Sequence, residues 1–238
     1  MNEGSRGLDT PRPRTVAPGW HTVVLVALFV TLAFGGALFQ QRARTISPVA
    51  ARSSVIPIYL ALVLSEWGLV LFVVRGGLRR NNVTTRELIG GRWTSRRDVG
   101  VDVALGLGMW AFWKLIGTAW DRALGEGQAA SIDSYLPQGI LEGGLWIGVS
   151  LTAGFCEELV FRGYFQRQFQ AWTRSPWIAL VLQAALFGIS HGYQGAAACT
   201  RIAMYGALFG LLAHWRKSLR PGMLAHAMTD ILGGILRV

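Results

Sequence analysis

Charge is the first thing this sequence has little of. Asp, Glu, Lys and Arg together make up 15% of its 238 residues, where a soluble domain carries about 25%. Acidic residues are the scarcer sign, 13 against 23 basic ones, for a net charge of +10. The charges also stay out of long apolar windows, which excludes an ordinary soluble domain and marks a membrane protein. The apolar runs are continuous rather than alternating, so a transmembrane β-barrel is excluded. Cysteine is scarce too. Cys156 and Cys199 form neither a CxxC pair nor a zinc-ribbon spacing, which excludes a disulfide framework; Cys156 reads as a small buried residue. There is no HExxH, so a standard zincin is excluded, and no GxSxG to support a serine hydrolase. The basic excess lies in short segments between apolar spans. It reads as topology signals and anionic-lipid contacts, with no nucleic acid partner.

Seven apolar segments can be drawn, roughly 22–40, 56–74, 99–120, 139–161, 177–195, 201–214 and 222–236. A helical span needs about 20 residues. The first five reach that length and the last two fall short. Only helices satisfy the backbone of such runs in lipid. The expected fold is therefore all-α, a polytopic transmembrane helical bundle of about seven spans, or eight if one segment is really two. Residues 1–20 read as a disordered polar tail. Residues 21–138 read as N-terminal transmembrane helices with a basic loop at 75–97 that holds a short interfacial helix. Residues 139–238 are left as the core that carries the chemistry. The run from Thr22 to Phe39 exceeds the usual signal-peptide core of about 7–15 residues, so it is read as an uncleaved first span.

With the N-terminus cytoplasmic, sixteen Arg and Lys residues fall on that side and six on the other, with Lys114 left inside a span. The positive-inside rule then favours N-in, C-out. Arg162, Arg167 and Arg174 are counted here as cytoplasmic-side charges, and the fourth helix is expected to run past the membrane through them. The 41–55 loop, with three arginines, is the misfit.

The chemistry concentrates in Glu157-Glu158-Leu159-Val160-Phe161-Arg162. Two adjacent carboxylates are costly at membrane depth. At about 100° per residue, Glu158 and Arg162 share a helix face and can pair, while Glu157 points about 140° away from Arg162 toward a cavity. His191 follows in the next apolar segment. Thr173–Pro176 forms the turn between, with Pro176 suited to the first helical position. Glu157 and His191 lie equally far from that turn, about 25 Å at ~1.5 Å per residue, so two antiparallel helices bring them together. His226 and Asp230, four apart, share a face of the last helix. Carboxylates and imidazoles around one site suit water activation for amide hydrolysis. Two histidines with one or two carboxylates, Glu157, His191, His226 and Asp230, also match the N and O donors that zinc prefers.

Each residue also has a plainer reading. Glu158–Arg162 alone is a structural ion pair, His191 alone a hydrogen-bonded core histidine, and His226 with Asp230 a pair within a helix. Glu66 and Lys114, both mid-span, either face protein or snorkel. His21 and His214 sit at span edges, where interfacial solvation is the default. Glu157 is the hardest to explain structurally.

Glu-Glu-x-x-x-Arg, then Phe-x-x-x-His, then His-x-x-x-Asp, in three apolar segments, resembles the CPBP intramembrane proteases. That family includes CAAX prenyl proteases of the Ras-converting-enzyme type and bacteriocin-processing or immunity (Abi) proteins. Ala153–Tyr164 is similar to its first motif and Leu186–His191 to its second. The resemblance covers roughly residues 139–238. It implies an intramembrane endopeptidase acting on membrane-associated or lipidated protein or peptide substrates. In it, Glu157 activates the water, helped by His191; His226 and Asp230 line the site and stabilise the oxyanion or bind a divalent metal such as zinc; Glu158, Arg162 and Phe187 orient it. The last motif position, often Asn in the prenyl proteases, is Asp230 here. An ionised Asp repels an oxyanion, so it suits a metal or a hold on His226 better. The rival readings are a non-catalytic scaffold or immunity protein of the same fold and, behind it, an ion-coupled transporter, for which no inverted repeat appears. The implied location is a prokaryotic plasma membrane, in a multi-pass topology. The oligomeric state is not legible.

Overall fold

The structure is a computed structural model that describes residues 13–46, 54–124 and 133–236. It is all-α, with no β-strand among the described residues. The main helices are α1 (Gly19–Ile46), α2 (Ile56–Phe72), the short α3 (Thr85–Ile89) and α4 (Arg96–Leu124). They are followed by α5 (Gly139–Glu158), α6 (Gln166–Thr173), α7 (Pro176–Ser190), α8 (Ala196–Arg216) and α9 (Arg220–Leu236). The expected helical bundle is present. Five helical stretches are long and apolar enough to cross a membrane: Gly19–Phe39, Ile56–Asn81, Arg96–Trp120, Gly139–Thr173 and Ala196–Arg216. Their outer faces carry bare aliphatic side chains, such as Leu64 at 74% and Leu115 at 70% exposure. Such exposure is a liability in water and the normal state against acyl chains. The chain is a multi-pass membrane protein.

The segment lengths differ from expectation in one place. The fifth apolar segment is the short one: α7 stops at Ser190, and its apolar helix is below span length. The reason is local. His191 leaves helical geometry, Gly192–Gln194 forms a 3₁₀ turn, and Gly195 takes φ 95°, a left-handed value that glycine reaches without strain. α8 therefore starts at Ala196 and gains the length that the fifth segment lost.

The expected disordered tail of 1–20 does not hold for its last residues. Residues 1–12 lie outside the described residues, but the chain just before α1 is docked. The Val16 and Ala17 amides donate to Gln168 Oε1 at 2.8 and 3.2 Å, and Gln168 Nε2 returns a bond to Ala17 O at 2.9 Å. One buried carboxamide thus replaces a backbone partner on both counts. His21 is not interfacial either. It is fully buried, hydrogen-bonded through Nδ1 to the Tyr164 hydroxyl at 2.7 Å and through Nε2 to Phe72 O at 3.2 Å. A paired imidazole is tolerated in a core that would reject a bare one.

The basic loop holds α3 as expected, opened by a reciprocal cap between Thr84 and Glu87. It is fastened from the C-terminal half: Arg167 donates to Glu87 O and Leu88 O, both at 2.8 Å, and the Leu219 amide to Ile89 O at 2.8 Å.

α5 and α6 form one continuous helix through a π-helical stretch, Leu159–Phe165, all seven residues of which are buried. Here backbone bonds run five residues back rather than four. Burial on every side puts this stretch at the centre of the bundle. Arg162 is therefore not a charge on a cytoplasmic extension, because Glu158 and three aromatic rings enclose it. α6 ends at Arg174, in a left-handed conformation, and Ser175 caps α7 by accepting from the Ile178 amide, with Pro176 in first place. α7 packs on α8, α9 on α5 and α4, and α2 on α5. α5 and α9 approach closely at Gly154, where a Cβ would stand 2.8 Å from Ala227 N and 2.9 Å from Met223 O. Glycine there lets the two helices that carry Glu157 and His226 touch backbone to backbone.

Candidate active site

Glu157 ends α5, His191 follows α7, and His226 and Asp230 lie on α9. All four line one cavity of about 790 Å³, together with Glu66 of α2, Phe187, Tyr193 and Tyr205. The hairpin geometry expected from the sequence thus brings Glu157 and His191 to the same space. Asp230 also helps close the wall, because Trp146 Nε1 donates to its carbonyl oxygen at 2.8 Å.

Below the cavity lies a sealed layer. Glu158 is fully buried and Arg162 is 2% exposed, and Arg162 Nη1 donates to Glu158 Oε1 at 2.8 Å. The same carboxylate oxygen faces His226 Nδ1 at 3.1 Å. Glu158 therefore reaches the site through His226. It fixes the ring with Nδ1 inward and Nε2 toward the cavity, the way outer partners commonly orient a working histidine. His226 Nε2 then stands 3.7 Å from Glu157 Oε2 and 3.7 Å from Asp230 Oδ2. Those separations are ion-pair distances, longer than hydrogen bonds.

His191 is held differently. Its Nδ1 lies 2.9 Å from Phe187 O and 3.1 Å from Ser190 Oγ. Donating to the carbonyl from Nδ1 leaves Nε2 with its lone pair for the cavity. Phe187 ties the parts together. The Arg162 guanidinium sits 4.2 Å over its ring, and the ring meets both His191 and His226 edge-on, with centroids 5.1 and 6.1 Å away.

Tyr193 and Glu66, both on the cavity wall, were not assigned a role from the sequence. Tyr193 was missed because it sits in the turn after α7, read as continuous helix. Burial pushes its phenol above the ordinary value, so it remains a hydrogen-bond donor at neutral pH. Glu66 was visible as a mid-span acid, but Glu157 is 91 positions away in sequence and no local pattern places the two on one cavity. The Glu66 carboxyl lines the same cavity as that of Glu157.

Residues 140–232 match the family described as Rce1-like, type II CAAX prenyl endopeptidase Rce1-like. This segment is an Rce1-like domain. The match begins one residue into α5 and ends within α9, so it contains Glu157, Glu158, Arg162, Phe187, His191, His226 and Asp230. Glu66, on α2, lies outside it. No curated protein and no solved structure matches the chain. The CPBP resemblance read from the three motifs and the Rce1-like match agree. At the level of the family, the domain is that of a CAAX-type membrane endopeptidase, a hydrolase of peptide or protein substrates at the membrane.

Proposed function

We propose that this chain hydrolyses peptide bonds of membrane-associated or lipidated proteins with a water activated by Glu157. The observation that carries this reading is the convergence of Glu157, His191, His226 and Asp230 on one cavity, above a buried Glu158–Arg162 pair that sets the His226 ring. Glu157 Oε2 is buried without a hydrogen-bond partner among the described residues, which leaves it an acceptor to offer. A water between Glu157 and the His191 Nε2 edge gives its proton to the carboxylate. The hydroxide adds to the scissile carbonyl carbon, and the carbonyl oxygen becomes the oxyanion. His226 donates from Nε2 to that oxygen. The tetrahedral adduct expels the amine, which takes up the proton held by Glu157. Asp230 is too far from His226 for a hydrogen bond and acts as a counter-charge that keeps the ring in place. Glu158, Arg162 and Phe187 orient the site without touching substrate.

The donors Glu157, His226 and Asp230 are of the type a divalent ion such as zinc takes. Among the described residues, no three His, Cys, Asp or Glu side chains stand in the arrangement of a metal site. Every step above is carried by the chain's own residues. The Arg and Lys count favours a cytoplasmic N-terminus, and the location proposed is a prokaryotic plasma membrane.

The test is cleavage of a farnesylated, internally quenched CAAX peptide by the full chain in detergent. Glu157→Gln and His191→Ala are expected to abolish it while expression and membrane insertion persist. Full activity in both variants would end the proposal. Comparison of membrane proteomes from wild-type and Glu157→Gln cells would then identify the protein that goes uncut.

A further inference from the structure

α7 and α8 lie against each other through two glycines, one on each helix. At Gly188 of α7 a Cβ would strike Cys199 O and stand 2.7 Å from the Ala203 Cβ on α8. At Gly206 of α8 a Cβ would stand 2.9 Å from Phe187 Cδ1, 3.3 Å from Arg162 Nη2 and 3.4 Å from Ala184 Cα. Glycine is a poorer helix former than alanine, so its presence inside α8 calls for a reason. The reason is space: the Phe187 ring and one end of the Arg162 guanidinium occupy the volume that a methyl group would take. Arg162 Nη2 has no hydrogen-bond partner among the described residues, so packing alone fixes that end.

Gln183 lies one turn before Phe187 on α7 and is fully buried. Its Nε2 donates to Gly206 O at 3.0 Å, across the interface and at the level of the ring. Its Oε1 is buried without a partner among the described residues. A buried amide with its oxygen unmet is a poor choice for stability alone. Gly206 O would keep its bond within α8 even without Gln183. What the amide adds is a fixed register between the two helices.

We propose that Gly206 and Gln183 are positioning residues for the reaction: Gly206 seats the Phe187 ring against Arg162, and the Gln183 bond holds α7 and α8 at the spacing that keeps the ring there. The seated ring meets both histidines edge-on, Phe187 O holds His191 Nδ1, and Arg162 holds the Glu158 that faces His226. The α7–α8 spacing thereby sets the aim of both imidazoles. Neither Gly206 nor Gln183 touches substrate. This rests on the reading of the active site given above.

The test uses the full chain in detergent and the farnesylated quenched peptide. Gly206→Ala forces the ring to move by several tenths of an ångström and is expected to lower kcat about 10-fold with KM unchanged. Gln183→Met keeps the length, lacks the donor and removes the unmet oxygen. It is expected to lower kcat about 3- to 10-fold while the thermal midpoint stays at or above wild type. A merely structural role would lower the midpoint and leave kcat alone. Phe187→Leu supplies a double-mutant cycle: Gly206→Ala should slow wild type but add nothing in the Phe187→Leu background, because the ring it displaces is gone. Wild-type kcat in Gly206→Ala overturns the proposal, as do losses that multiply in the double variant. If Gly206→Ala loses its fold, or Phe187→Leu is too slow to time, Gln183→Met decides: wild-type kcat, or a lost midpoint, overturns the proposal. A dead Glu157→Gln beside fully active Gly206→Ala and Gln183→Met overturns this inference alone. Equal cleavage by wild type and Glu157→Gln overturns the active-site reading and this inference with it.

Discussion

Replacing Arg162 by methionine leaves the Glu158 carboxylate buried at the centre of the bundle with its cationic partner gone. Breaking a buried pair from one side costs about 3–5 kcal/mol, because the remaining charge stays uncompensated. The guanidinium also lies 4.2 Å over the Phe187 ring, a contact worth on the order of 1 kcal/mol. The single variant is therefore expected to lose about 4–6 kcal/mol. Replacing both partners, Glu158→Leu with Arg162→Met, removes the stranded charge. What remains is a His226 Nδ1 without its acceptor, about 1–3 kcal/mol, and the lost contact with the Phe187 ring, together about 2–4 kcal/mol. The double variant should thus be more stable than the single one, by an amount well above measurement error. Unfolding by SDS titration in mixed micelles, followed through the tryptophans, gives the comparison. Both variants should be inactive, since neither keeps the His226 ring turned toward the cavity. The reasoning fails if Arg162→Met is as stable as wild type, or if the double variant is the less stable of the two.

Other outcomes follow from the same contacts. Gly154→Val should force α5 and α9 apart at Ala227, lowering stability by about 1–3 kcal/mol and peptide cleavage with it. Gly144→Ala, where nothing lies within 4 Å, should be neutral or slightly stabilising, and a thermal scan of both tests the contrast. Gln168→Ala should strand the Val16 and Ala17 amides, cost about 1–3 kcal/mol and speed proteolysis ahead of α1, read by mass spectrometry of the nicked product. Phenanthroline should leave cleavage intact; a loss restored by added zinc would instead assign Glu157, His226 and Asp230 to an ion.

The sequence carried the helical class clearly, because continuous apolar runs interrupted by arginine have few other solutions in lipid. It carried the Glu158–Arg162 pair as well, since four-residue spacing is a local property of a helix. It misjudged where the fifth and sixth segments divide. Gly195 holds that boundary with a positive φ, and an apolar neighbourhood hides a single glycine. Arg162 was counted as a cytoplasmic-side charge because composition does not reveal burial; only the rings of Phe161, Phe187 and Phe209 around it do. His21 looked interfacial because its partners, Tyr164 and Phe72 O, are supplied by distant segments. Glu66 illustrates the same limit within the site: its residue type was conspicuous and its place on the cavity wall was not.

The Gln168 amide, the Tyr164 hydroxyl and the Arg167 guanidinium all lie within residues 140–232, yet each finds its partner among the first ninety residues of the chain. Cut free at Gly139, the matched segment would present three unmet polar groups to hydrocarbon, together with the bare flank that α1 and α2 cover. Trimming to the recognised segment is therefore expected to lose the fold, because the first ninety residues serve as its permanent internal solvent.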